Sequence, residues 1–311
     1  MAPPPRRPPS LLPVIAVLAL ALAGALVLLV TRDGGDDAPR AAATAPTRTT
    51  AARPAGDRAA DPKPRDRTAG WPVQGAAARR ARVPILMYHL VAEAKAGTPY
   101  PELWVPPARF REQIAALHGA GFTAITMNEL WSAWHDGGRL PRRPVVLSFD
   151  DGDISQVMNA APVLERLRWP GVLNLAVNHL GKDGLPMWGA RRMLRQGWEI
   201  DSHTTTHPDL TTLGAEALRR ELAGSRRLLK RKLGVDARFF CYPAGRNDTT
   251  VRAAVKAAGY AAATTVEPGL AAPGQDPYLL PRIRVEPQTT GARLVQQARG
   301  TAAAPAGGGA A

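Results

Sequence analysis

Cysteine is nearly absent from this 311-residue chain, where Cys241 stands alone. One thiol cannot form an intrachain disulfide, and it cannot build a cysteine-rich structural zinc site. Aromatic residues are sparse at 5%. Acidic residues are in deficit, 26 Asp+Glu against 40 Lys+Arg, for a formal net charge of +14. That excess is spread along the chain. Residues 1–82 carry 13 basic and 6 acidic side chains, and the rest carry 27 and 20. No concentrated basic face with interleaved aromatic residues is evident, so nucleic acid is not expected as a partner. With 45% hydrophobic residues the chain can still bury a core, and its length allows one domain of about 200 residues.

What is present first is one long apolar run. Residues 11–30 read LLPVIAVLALALAGALVLLV, without a charge. As a helix rising about 1.5 Å per residue, the run spans roughly 30 Å, the thickness of a bilayer core. Arg6 and Arg7 precede it, and Asp33, Asp36 and Asp37 follow it. This bias puts residues 1–10 in the cytoplasm and the rest outside. The expectation is a single-pass signal-anchor at the cell membrane with an extracytoplasmic domain. A signal peptide cleaved near Ala21-Leu22-Ala23, giving a secreted protein, is the alternative. Residues 31–82, rich in Ala, Pro, Thr, Arg and Asp, predict a disordered linker, and residues 299–311 predict a disordered tail.

Residues 83–298 alternate short apolar runs with amphipathic stretches. Strands are expected at 83–88, 123–125, 144–149, 171–177, 198–201, 237–242, 261–264 and 280–285. Helices are expected at 106–120, 127–135, 155–166, 187–196, 214–233 and 248–258. This alternation predicts a mostly parallel α/β sheet, as a barrel or an open doubly wound sheet. In both, ligands bind at the carboxyl ends of the strands.

Polar residues cluster at those ends. Val145-Val146-Leu147-Ser148-Phe149 runs into Asp150-Asp151-Gly152. Adjacent carboxylates there suit a metal site or an acid/base pair. Trp198-Glu199-Ile200-Asp201 runs into Ser202-His203-Thr204-Thr205-Thr206-His207-Pro208. Two histidines four apart can grip one ion, and with Asp151 they make a two-His, one-carboxylate set. Such a set leaves coordination positions open for water and substrate. The 237–242 strand runs into Pro243-Ala244-Gly245, whose exposed N–H groups suit an oxyanion. The first strand runs into His89, a proton donor or a structural histidine. Trp188, Trp104 and Trp131 are candidates for stacking on sugar rings, with core or rim packing as the alternative. The stretch 226–232 reads as a solvated helix face, and Cys241 as a small buried apolar residue.

The segments SFDDG (148–152), HTTTHP (203–208), YPAG (242–245) and PILMYH (84–89) together resemble the polysaccharide deacetylases, the NodB-homology domains of carbohydrate esterase family 4. The MYH opening is similar to the branch that includes poly-β-1,6-N-acetylglucosamine deacetylases. The resemblance covers roughly residues 83–290 and implies a distorted (β/α) barrel. It implies that Asp151, His203 and His207 hold a divalent metal, commonly Zn2+, with Asp150 as general base and His89 as general acid. It also implies that the Ala244 N–H holds the oxyanion, with Tyr242 and Trp188 toward the substrate. The implied reaction is hydrolysis of N-acetyl groups on a cell-surface or extracellular N-acetylglucosamine polymer. A peptidoglycan or chitin-oligomer deacetylase, an acetylxylan esterase and a silent polysaccharide-binding protein are the competing readings. Cys241 departs from the family pattern, standing where many members place an Arg that orients the base. Asn174 and Asn178 interrupt a strand that is usually more apolar.

Overall fold

The computed structural model describes residues 67–181 and 184–300. The expected span 11–30, linker residues 31–66 and tail residues 301–311 lie outside the described residues. Among the described residues, no helix is long and apolar enough to cross a membrane.

The chain order is α1 (Gly75–Arg79), β1 (Ile85–Tyr88), α2 (Pro107–Gly119), β2 (Thr123–Ile125), α3 (Met127–His135), β3 (Pro144–Asp151) and α4 (Ala161–Arg166). There follow β4 (Val172–Leu175), α5 (Met187–Arg195), β5 (Glu199–Ser202), α6 (Ala215–Leu233) and β6 (Phe239–Cys241). The chain continues through α7 (Thr249–Ala257), β7 (Ala262–Pro268), β8 (Leu280–Arg284) and α8 (Gly291–Ala298). Local chemistry sets many of the boundaries. Thr126 and Glu129 close a reciprocal capping box at the start of α3. Asp248 and Thr290 accept backbone N–H groups at the starts of α7 and α8. Gly234 ends α6 at φ 75°, the left-handed position that stops a helix.

All the strand pairings are parallel. The sheet runs β1-β8-β7-β6-β5-β4-β3 and closes where β1 pairs β3, giving a seven-strand ring; β2 adds to the amino-terminal half of β3. This is the expected barrel.

Period-two alternation then divides each strand. Val145, Leu147 and Phe149 join the large cluster outside the ring, with Phe110 and Ile114 of α2 and Leu164 of α4. Val146 joins an apolar cluster with Ile85, Val172, Phe239, Ala262 and Leu280. Beyond Val146 on the same face come Ser148 and Asp150. The register sets Asp150 beside Asn174 and Asn174 beside Asp201. The barrel is therefore apolar toward one end and polar toward the carboxyl end.

Two expectations are corrected. The linker does not extend to residue 82. Val73 exchanges backbone hydrogen bonds with Leu140 at 3.0 and 2.8 Å, and α1 buries Ala78 against the apolar cluster. Trp71 and Val73 supply the apolar surface that docks this strap. The helix expected at 155–166 is interrupted. Residues Gln156–Ala160 form a π turn, and α4 starts only at Ala161, ahead of Pro162. Proline has no N–H to continue the ladder, and the Gln156 amide is drawn to the Asp150 and His89 carbonyls at 2.6 and 2.9 Å. A further helix, α8, was not among those expected.

Phe149 is fully buried, with the Tyr88 ring stacked on it at 5.3 Å and Trp198 tilted at 4.9 Å. Phe149→Ala is expected to cost about 3–5 kcal/mol of unfolding free energy, read from urea titrations followed by tryptophan fluorescence.

Candidate active site

The site forms where β1, β3, β5, β6 and β8 deliver their last polar residues to one rim. A cleft of about 540 Å3 there is lined by His89, Asp150, Asp151, His203, His207, Tyr242, Ala244 and Arg282, among others. Local backbone strain gathers around it. Asp151, Thr204, His207 and Ala244 take φ of 76°, 72°, 60° and 51°, a region non-glycine residues rarely occupy. At Asp151 the left-handed turn breaks the strand alternation and brings its carboxylate to the histidines.

Asp151 Oδ1 lies 3.5 Å from His203 Nε2 and 3.4 Å from His207 Nε2. These three ligand atoms lie within 4.8 Å of one another. Ligands about 2.0–2.1 Å from one tetrahedral ion would be about 3.3–3.4 Å apart, so the donor set fits a divalent cation. The tautomer fits too. The Cys241 carbonyl can only accept, so His203 Nδ1 carries the hydrogen of their 2.7 Å bond, which makes Nε2 the nitrogen that ligates once it gives up its proton. The His207 N–H donates to Thr204 Oγ1 at 2.8 Å, and Glu221 of α6 accepts from the Thr205 and Thr206 N–H groups, fixing the loop between the ligands.

A second donor grouping, Asp150 with His203 and Cys241, also falls within 4.8 Å. There the carboxylate is already engaged. Arg282 Nη1 and Nη2 donate to Asp150 Oδ1 and Oδ2, each at 2.8 Å, and Asn174 Nδ2 donates to Oδ1 at 2.7 Å. Asp150 and Arg282 are 2% and 1% exposed. Burial alone would raise the Asp150 carboxyl. The Arg282 guanidinium and His89 outweigh burial and hold the carboxyl far below the usual carboxylate range. Asp150 is therefore ionised throughout the working pH range. His89 Nε2 stands 3.7 Å from Asp150 Oδ2. Burial pulls the His89 imidazole below its ordinary value, and the two aspartates oppose that only in part. His203 is held well above its ordinary value. Burial opposes this, but Cys241 and the Asp151 and Asp150 carboxylates outweigh it.

The structure brings Asp150, Asp151, His203, His207, His89 and Ala244 to one cleft. Ala244 sits in a short 3-10 turn, Pro243–Gly245; Pro243 has no N–H and the Gly245 N–H donates to the Tyr242 carbonyl at 2.9 Å, which leaves the Ala244 N–H without an acceptor in the turn. The aromatic candidates and Cys241 divide differently. Trp188 is 52% exposed on α5 and is not among the cleft-lining residues. α5 docks through Gly189, Ala190 and Met193, which leaves Trp188 on another side. Trp131 packs on Phe239 at 5.8 Å in the apolar cluster, and Trp104 pairs with Leu90 in an isolated bridge. Tyr242 lines the cleft, but its ring is buried against Phe240 in a core cluster. Cys241 is buried as expected, yet it is not in an apolar setting. Its sulfur lies 3.2 Å from Arg282 Nη2 and 3.6 Å from Asp150 Oδ2. Sequence reasoning missed Arg282 and Asn174 as partners of Asp150. Their signal was a polar residue at an inward position of an otherwise apolar strand. It also passed over Tyr100, an aromatic 71% exposed at the cleft.

Arg282→Met strands a buried carboxylate and is expected to cost about 3–5 kcal/mol, read by chemical denaturation. Zn2+ binding followed by calorimetry should release protons and weaken as pH falls through the raised His203 value, because proton and cation compete for Nε2. His207→Ala should cost at least about tenfold in that affinity.

Comparisons with known proteins agree with this geometry. A family profile described as polysaccharide deacetylase matches residues 137–263. The Bacillus subtilis protein YxkH, named among the polysaccharide deacetylases, is 30% identical over 213 residues, covering 68% of this chain and 74% of its own. A poly-β-1,6-N-acetyl-D-glucosamine N-deacetylase of Staphylococcus aureus is 24% identical over 196 residues, covering 58% of this chain and 67% of its own. The Streptococcus pyogenes deacetylase PplD, solved with acetate, superposes at a TM-score of 0.66 with 23% identity, over 70% of this chain and 99% of PplD. A polysaccharide deacetylase of Bacillus cereus superposes at 0.63 with 28% identity, over 70% of this chain and 69% of its own. With a barrel of this type, its polar motifs gathered on one rim and a relative 30% identical over most of both chains, the chain belongs to the polysaccharide deacetylase family of hydrolases.

Proposed function

We propose that the chain removes N-acetyl groups from an N-acetylglucosamine polymer outside the cell. The supporting observation is the division of labour between two adjacent carboxylates. Asp151 faces two imidazole nitrogens at 3.4 and 3.5 Å, while Asp150 is held off by a bidentate guanidinium. The first is shaped to hold a cation and the second to stay free of it. The substrate class follows the name of the Staphylococcus aureus relative.

A divalent cation, Zn2+ or another, held by Asp151, His203 and His207 would polarise the acetyl carbonyl and acidify water beside it. Asp150 accepts the proton of the attacking water at Oδ2, the oxygen that faces His89. Because Arg282 keeps Asp150 ionised, its readiness to accept does not vary over the working range. The Ala244 N–H donates to the carbonyl oxygen as that atom gains negative charge, a contribution of about 3–4 kcal/mol in comparable sites. His89, whose Nε2 stands 3.7 Å from Asp150 Oδ2, takes up that proton and gives it to the leaving nitrogen as the C–N bond breaks. The products are acetate and a glucosamine unit. The apolar run at 11–30 supports a membrane-anchored enzyme facing outward, which protease shaving of intact cells would test.

Acetate release is to be measured on β-1,4 and β-1,6 N-acetylglucosamine oligomers and on peptidoglycan. Asp150→Asn should lower kcat by about 10²–10⁴ while Zn2+ affinity stays near that of the parent. Chelation should abolish turnover, and added Zn2+ should restore it. An Asp150→Asn enzyme of full activity would remove the base from the scheme.

A further inference from the structure

A second cavity of about 540 Å3 lies beside β8 and α8. Ile283 forms part of its wall, on the opposite strand face from Arg282, so the cavity is on the outer side of the barrel. Leu270 and Gly269 close it from the β7–β8 connection. Three arginines line it: Arg82 just before β1, Arg284 at the end of β8, and Arg293 on α8. None of the three forms an ion pair or a side-chain hydrogen bond among the described residues. The one carboxylate in the lining is Glu286, whose Oε2 accepts from Gln288 Nε2 at 2.6 Å. The lining thus carries an excess of positive charge that the described residues leave uncompensated.

Arg284 also lines the catalytic cleft. The two cavities share that residue and so adjoin at the end of β8, within reach of neighbouring sugars of one chain. Guanidinium groups recognise carboxylate and phosphate oxygens through paired N–H donors, and a concave setting strengthens the contact. A neutral glycan offers these groups only hydroxyls. Its deacetylated product is worse still, since each turnover adds an ammonium that three guanidiniums repel.

We propose that this cavity is a subsite for an anionic substituent, carboxylate or phosphate, on a sugar close to the one that loses its acetyl group. The proposal rests on the deacetylase reading and narrows its substrate class to anionic N-acetylated glycans.

The test uses the full chain with Zn2+ and three oligosaccharides of equal length. One is a neutral N-acetylglucosamine oligomer, one carries lactyl carboxylates, and one carries phosphate. Arg82→Gln and Arg293→Gln are made singly and together; neither residue lines the catalytic cleft. At least one anionic probe should be turned over with kcat/KM about tenfold above the neutral probe, with the advantage shrinking as salt rises. The double variant should lose most of that advantage through KM, with kcat on the neutral probe unchanged. The carboxylate and phosphate arms identify which anion is meant. Equal kcat/KM on all three probes, or a double variant like the parent on the anionic ones, overturns the subsite. Acetate from none of the probes overturns the deacetylase reading instead. Fluorescence anisotropy of the labelled oligomers then still decides the subsite. Tighter anionic binding that the double variant loses supports it, and equal binding of all three sinks it.

Discussion

The ion pair between Arg282 and Asp150 is the constraint around which the upper half of the barrel is arranged. The two residues are 132 positions apart and meet across β1, nearly sealed from solvent. Two buried charges cost several kcal/mol each in lost hydration, and attraction alone does not reliably offset that. Here the remaining hydrogen-bonding capacity is also used. Arg282 donates from Nε to the Thr265 carbonyl at 2.8 Å and from Nη1 to Ser148 Oγ at 3.2 Å, and Asn174 completes Asp150 Oδ1. The network joins β3, β4, β7 and β8, so ring closure and the setting of the proposed base are one event.

That arrangement separates two carboxylates that are neighbours in the chain. Asp150 keeps the strand alternation, faces inward and meets the guanidinium. Asp151 leaves the alternation at φ 76° and faces the histidines. Identical side chains thereby acquire different electrostatic settings. The same logic governs the histidines. His203 is oriented by a backbone carbonyl from the next strand, while His89 is set by burial and by the Asp150 charge. Strain at four rim residues accompanies this arrangement, and the surrounding barrel is rigid enough to hold it.

Much of the barrel was legible in the chain itself, since apolar strands alternating with capped helices admit few topologies. The trio Asp151, His203 and His207 was legible because its members directly follow strand runs. Asp150's partner was not. Cys241 occupies the position where an Arg was looked for, and the guanidinium arrives instead from β8, within LPRIR. An Arg between Pro281 and Ile283 reads locally as a surface residue, and only barrel closure shows that its side of β8 faces inward. Trp188 misled for the reverse reason. An aromatic near a motif suggests a sugar platform, but the face of α5 that docks was decided by the small residues Gly189 and Ala190. The strap at 67–82 was lost to composition, because two apolar side chains seem too few until a groove beside Leu140 is there to receive them.

By itself, the sequence determined which residue types end each strand, where helices start and stop, and that a carboxylate and two imidazoles stand at ligand spacing. These are local properties, set by the two-residue period of a strand and by capping chemistry. Tertiary structure alone decided which guanidinium meets Asp150, which aromatic residues reach the cleft, and that Arg82, Arg284 and Arg293 share one cavity. In these pairings Arg282 meets Asp150 across 132 positions, and Arg82 meets the other two arginines across some two hundred. Their physical cause is closure of the ring, which no stretch of chain carries alone.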